Sequence, residues 1–253
     1  MKSPQLHAVG FDFKNMDALI KAAFDGGVRG VDSAPGFSLI GAYTDPSGAR
    51  VAFQQRKNQP AVVLAALRSE TIYRAQVVRF SDQMARVALY SSGEDGSLLT
   101  QFLALVDDPI AYEQHSLSEG GGFSIIQALQ VGALAMDVQV FADEAAFHAS
   151  DASRVGSMLM EAKSLVSPSL MGLQSASLTI EEAGPTLLMG AVVESVEVRR
   201  NELSEVNFQY VRASSIVDIT IAVPMEHPVE PGNVIHGTFY AVANAGTWDN
   251  NAG

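Results

Sequence analysis

Five histidines, His7, His115, His148, His227 and His236, are the residues here best suited to hold a metal or move a proton near neutral pH. Their spacing gives no H-x-H or H-E-x-x-H pair, so no metal site is written into a single helix or strand. Glu226-His227 lies between Pro224 and Pro228, in a loop where a general base, a metal ligand and a solvent-facing side chain are all open readings. His236 alternates with Val234 and Thr238, which puts it on a strand as a packed or rim residue. Other chemistries are excluded. The chain has no cysteine, so disulfides, zinc–thiolate sites, iron–sulfur clusters and thiol nucleophiles are impossible. No Gly-x-Ser-x-Gly elbow occurs. Gly26, Gly27 and Gly30 follow the first expected helix, whereas a phosphate cradle needs glycines ahead of one. The paired acids Asp107-Asp108 and Glu181-Glu182 are neighbours in sequence, and on a strand neighbours face opposite ways.

The elements that must position these residues are mostly strands. Leu187–Ala243 is the most regular stretch. Val206, Phe208 and Tyr210 alternate with Asn207 and Gln209; Val217, Ile219, Ile221 and Val223 alternate with Asp218 and Thr220. That period of two predicts strands with one apolar face. With Leu187–Arg200 before them and Val234–Ala243 after, they read as a four-stranded antiparallel meander, similar in pattern to small five-stranded barrels of the oligonucleotide-binding or SH3-like type. Pro224–Pro231 holds three prolines and is a loop. Phe208, Tyr210, Phe239 and Tyr240 suit either a stacking platform at a barrel mouth or cross-strand core pairs. Trp248, the one tryptophan, sits in a polar tail and is expected to dock on the body or to meet a partner.

Upstream, His7–Phe13 is expected as a strand, Ala18–Phe24 as a helix capped by Asn15 or Asp17, and Phe37–Tyr43 and Arg50–Gln54 as strands around the turn Asp45–Gly48. Strands follow at Ala61–Leu67, Ile72–Phe80, Met84–Tyr90 and Leu98–Val106, with a hairpin turn at Ser92–Gly96. Glu113–Gly122, with the only glycine triplet, is the expected linker. Ala133–Phe141 then reads as a strand and Ala145–Ser150 as a helix. Met158–Leu165 suits a short helix or packed loop broken at Pro168, and Ser177–Glu181 a short strand. An offset of 127 residues sets Ala145 against Ala18, and Val138 and Val140 against Phe11 and Phe13. This predicts two related halves.

The turn and strand Asp45-Pro46-Ser47-Gly48-Ala49-Arg50-Val51 resembles the D-P-x-G-N-x-[IVL]-E segment of glyoxalase-like, vicinal-oxygen-chelate modules. The likeness covers about the first 55 residues. It implies a divalent metal held by a histidine on the first strand, here His7, and by a glutamate on the last, where this chain has Ala52. As a whole the chain resembles a bacterial protein family of unassigned activity.

The chain has 253 residues, 47 % of them apolar and 17 % charged, enough for a substantial core. A net charge of −12 repels phosphate backbones, and the basic residues, Arg199-Arg200, Arg56-Lys57, Arg74, Arg79 and Arg86, are scattered. No signal peptide or apolar membrane span is expected, which suits a cytoplasmic protein. The sequence thus predicts an α+β, mostly antiparallel β protein. Its expected halves are 1–117 and 118–253, each a βα unit followed by a curled sheet or small barrel. The functional expectation is a non-catalytic binding or assembly module without a cofactor, meeting a protein partner, a second copy or a small ligand through His115, His227, His236, Tyr240 or Trp248, with no nucleic acid and no membrane. The alternative is a glyoxalase-like metal-assisted enzyme or small-ligand binder using His7.

Overall fold

The computed structural model of the chain describes residues 3–31, 34–92, 96–117, 121–155 and 158–249. It is α+β and mostly antiparallel. The chain opens with two helices, α1 (Pro4–Ala8) and α2 (Met16–Asp25). A four-stranded antiparallel sheet follows, in the order β1 (Arg29–Gly30), β2 (Phe37–Thr44), β3 (Ala49–Arg56) and β4 (Val62–Leu67). A three-stranded meander comes next, β5 (Ile72–Arg79), β6 (Met84–Tyr90) and β7 (Leu98–Val106). After a 3₁₀ turn at Pro109–Ala111 the chain enters β8 (Ser124–Phe141), its longest strand. Beyond α3 (Glu144–His148) lie the short strands β9 (Arg154–Val155), β10 (Met158–Leu159) and β11 (Ser164–Val166), then α4 (Pro168–Gln174). A second meander, β12 (Thr186–Arg200), β13 (Asn207–Ser214) and β14 (Asp218–Pro224), leads to β15 (Val234–Asn244).

The two long strands β8 and β15 pair antiparallel from Phe141↔Val234 to Gln130↔Asn244. Each meander closes around this pair. β5 runs antiparallel to β8, and β7 runs parallel to β15 at Leu105–Val106. β12 runs antiparallel to β15, and β14 runs parallel to β8 at Gly132–Leu134. The pairings therefore trace two closed circuits of five strands, β5-β6-β7-β15-β8 and β12-β13-β14-β8-β15, sharing β8 and β15. Closure removes most of the sheet edges that would otherwise template aggregation.

Alternation sorts the side chains of these strands into two cores. On one face Val211, Ala213, Ile219, Ile221, Val223, Leu187 and Phe239 join Val77, Val87, Leu89 and Phe102 in a single interior spanning both circuits. On the other face Phe208, Tyr210, Ala222, Leu134 and Val242 pack against α1, α2 and the inner face of the small sheet, through Leu6, Phe11, Leu19, Val51, Phe53 and Leu67. Both faces of β13 and β14 are thus covered, not one. The expected four-stranded meander is also corrected: β15 leaves β14 and crosses to pair with β12 and β8.

Further corrections follow from local chemistry. His7–Phe13 is not a strand. Pro4 starts α1, Gly10 (φ +75°) ends it, and Gly10 N–H and Phe11 N–H donate to the His7 and Leu6 carbonyls in a Schellman closure. The offset pairing of Phe11 and Phe13 with Val138 and Val140 therefore sets an irregular segment against a strand. β8 begins nine residues before the expected Ala133. Pro168 opens α4 rather than breaking a helix, Met158–Leu159 and Ser164–Val166 are strand, and Ile180–Glu182 is a 3₁₀ turn with a capping box at Thr179. Ser92–Gly96 and Glu113–Gly122 lie partly outside the described residues. Strands on either side of residue 118 pair with one another, β5 with β8 and β7 with β15.

Candidate functional site

Two polar clusters stand out against this apolar framework. The first is built on α1. His7, in its last turn, points Nδ1 at the Asp12 carboxylate, 2.9 and 2.8 Å from its two oxygens, and Nε2 at Glu226 Oε1, 2.6 Å away. The Schellman turn after α1 brings Asp12 back beside His7, and the proline-bounded loop after β14 delivers Glu226. An ionised carboxylate only accepts, so a carboxylate at each ring nitrogen favours the doubly protonated ring, in which both nitrogens donate. Partial burial works to lower its pKa, but the hydrogen bonds and charges of Asp12 and Glu226 outweigh that and raise it. The Glu226 carboxyl is lowered in turn, its backbone hydrogen bond and His7 outweighing burial. Beside the cluster, between α1 and α2, runs a groove of about 320 Å³. Leu6, Phe11, Met16 and Leu19 line it, and Asp12 and Lys14 add one charge of each sign.

The second cluster is buried. Arg50, on β3, is fully enclosed. Its guanidinium donates to Asp107 Oδ2 at 2.9 Å and to Asp249, and its Nε to Thr44 Oγ1 at 2.8 Å. Burial opposes the Arg50 charge, and Asp107 and Asp249 more than offset it. Burial pushes the Asp107 carboxyl up against the pull of Arg50. Asp108, next in the chain, points elsewhere. Its Oδ2 accepts from Ala245 N–H at 2.9 Å, Thr247 N–H at 3.3 Å and Thr247 Oγ1 at 2.8 Å, and its Oδ1 from the Tyr112 hydroxyl at 3.0 Å. Burial, and then the neighbouring Asp107 charge, push its pKa up to about 7 despite these donors. Trp248, 3 % exposed, donates Nε1–H to the Asp107 carbonyl at 3.0 Å and covers Ile40, Ala42 and Ala52 on the outer face of the small sheet. The cluster therefore clamps the residues after β15 onto the body.

The expected site residues are dispersed. His227 lies next to Glu226, so its loop does meet His7; its carbonyl accepts from Gln209 at 2.8 Å and its side chain acts on the Glu226 carboxyl through charge alone. His115 stacks its ring against Gly122, and its Nε2 is buried without a hydrogen bond. His236 is buried against Phe147, ring centroids 5.0 Å apart, and burial lowers its pKa. Tyr240 is half-buried beside the helices, and Trp248 is the tail anchor. The aromatic platform does not form, because Phe208 and Tyr210 belong to one core and Phe239 to the other. Asp12, Arg50, Asp108 and Asp249 were not foreseen. No spacing joins them to their partners, and the only local signal was the pair of acids ahead of Pro109.

Among the described residues no cluster of three or more His, Asp or Glu has an arrangement suited to a metal ion. Asp12 and Glu226 flank His7 from opposite ring nitrogens and so do not converge on one point. No described helix is long and apolar enough to cross a membrane. Comparison with protein-family models, with curated proteins and with solved structures returned no match.

Proposed function

We propose that the protein is a non-catalytic binding or assembly module whose partner docks in the groove between α1 and α2. The observation that carries this is the state of His7. A carboxylate sits at each of its ring nitrogens, so neither nitrogen faces a metal or a substrate proton. It serves instead to fix α1, one wall of the groove, against the loop of residues 225–233. The groove is at the small end for a drug-sized ligand, and its apolar floor suits one protruding apolar side chain of a partner. Met16, 42 % exposed at the start of α2, is the natural contact. The basic residues speak against nucleic acid, since Arg199 bonds to Glu197 and Glu70, Arg200 to Glu205 and Arg56 to Asp82. Among these eight strands the pairings are unchanged when β5–β8 and β12–β15 are interchanged, which supports related units at residues 72–141 and 186–244 in place of the expected halves 1–117 and 118–253.

The second reading, a metal-assisted enzyme, rests on the same histidine and requires Glu226, whose side chain is 52 % exposed, to swing off Nε2. One experiment separates the two. Co-purified partners are identified for the unaltered chain, for Met16→Glu and for His7→Gln, and bound metals are measured on the same untagged samples. Loss of a partner with Met16→Glu, without stoichiometric metal, supports docking. A stoichiometric divalent ion lost with His7→Gln replaces it with the enzyme.

A further inference from the structure

We infer that the second half of β12 is a dimerisation edge, at which residues 196–200 pair antiparallel with the same residues of a second copy. It uses none of the residues that line the α1–α2 groove, so the two readings stand or fall separately.

β12 changes neighbours half-way along. From Thr186 to Val192 it lies against β15, and from Val192 to Arg200 against β13 on its opposite edge. The last main-chain bonds on the β15 side are at Val193, which donates to the Asn233 carbonyl and accepts from Gly232 N–H. Beyond it, no strand among the described residues covers that edge. An uncovered edge offers its donors and acceptors to any strand that can match them. The register shift at Glu194, and the bond from Asn201 N–H to the Val206 carbonyl, turn Ser195, Glu197, Arg199 and Asn201 toward β13. Val196, Val198 and Arg200 therefore direct their main-chain groups outward. Val198 is 56 % exposed and shares a strand face with Val196, which packs on the larger core.

The occupant follows from the order of charges along this edge. Two antiparallel copies must set outward-facing residues against outward-facing residues, so the pairing centres on Glu197, Val198 or Arg199. Centring on Glu197 puts two carboxylates opposite each other, and centring on Arg199 puts two guanidinium groups opposite each other. Centring on Val198 sets the two Val198 side chains together and each Glu197 against the Arg199 of the other copy. Run antiparallel, Glu197-Val198-Arg199 is its own complement, as a two-fold interface requires. Both charged groups are already held on one face of the strand. Arg199 Nη2 donates to Glu197 Oε2 at 2.6 Å, and the guanidinium lies 3.5 Å from the centre of the Tyr210 ring. A run of one sign would repel a second copy and keep the edge single; this one carries both signs in the order that attracts it.

The test is sedimentation equilibrium of the full-length chain from about 1 μM to about 1 mM. The expected result is a monomer–dimer equilibrium weakened at least about tenfold by Val198→Pro, which removes an outward N–H and takes no bond from β13. Glu197→Arg and Arg199→Glu are each expected to weaken it at least about tenfold, and their equimolar mixture to restore it, because the mixed pair again sets opposite charges face to face. A monomer throughout the range overturns the inference, as does a mixture that associates no more tightly than either variant alone. A dimer lost with Met16→Glu and kept with Val198→Pro belongs to the groove and overturns it too. Where one edge variant loses the circular dichroism of the unaltered chain, the others decide, and a dimer indifferent to them overturns the inference.

Discussion

A carboxylate at each ring nitrogen ties the His7 clasp to protonation. Its folded pKa is raised above the ordinary 6.5. The stability it adds is therefore fully present below that value and is lost as pH rises through the folded pKa. His7→Gln is expected to lower the urea midpoint at about pH 5.5 and to leave it nearly unchanged at about pH 9. A larger loss at the higher pH would contradict the imidazolium. Asp108 acts in the same sense over a lower window, because an acid raised from 3.8 to about 7 keeps its proton in the folded chain after the unfolded chain has lost it. Stability is lost progressively as pH rises through that window, and Asp108→Asn is expected to flatten the decline in a series of urea titrations. Arg50→Met leaves Asp107 buried, and Asp249 part-buried, without their cation and is expected to cost about 3–5 kcal/mol in equilibrium unfolding. None of these partnerships was legible in the sequence. Arg50 and Asp249 meet only through the fold, and Asp12 is placed by a turn whose glycine looked unremarkable among apolar neighbours.

Elements were more legible than residues, because strand alternation is a local property and pairing is not. β6 and β7 fall where the alternation put them, and α2 starts at its Asn15 cap. α1 was missed because Leu6, Ala8, Val9 and Phe11 look strand-like until Pro4 and Gly10 are given their roles as start and stop. β8 starts ahead of the expected strand because Ser124–Gln130 mixes Ile125 and Ile126 with glutamines and leaves Ile125, Gln127 and Ala128 exposed. The closeness of β8 and β15 depends on Gly237 (φ +149°), where a Cβ would come within 2.2 Å of the Asp137 carbonyl oxygen, next to a register shift. Gly237→Ala is expected to cost about 3 kcal/mol. Gly232→Ala, also at positive φ (+91°) but with open space around its Cβ, is expected to cost about 1 kcal/mol. Comparable losses at the two sites would show that the backbone contact does not govern the pair.

At the scale of the whole molecule, the shared strands make the two circuits mutually dependent. Neither keeps its closure if β8 or β15 is withdrawn, and one apolar interior runs through both. A single cooperative transition is expected, with calorimetric and van 't Hoff enthalpies in agreement. Two separable transitions, or a stable folded fragment after cleavage near residue 118, would show that the halves hold together independently. The same sharing bears on the order in which the protein takes shape during synthesis. The first meander emerges early from the ribosome, yet its circuit has to wait for a strand made after the whole second meander. Until then the nascent chain presents the rim of an unfinished sheet, so helper proteins that shield such rims would matter most late in translation.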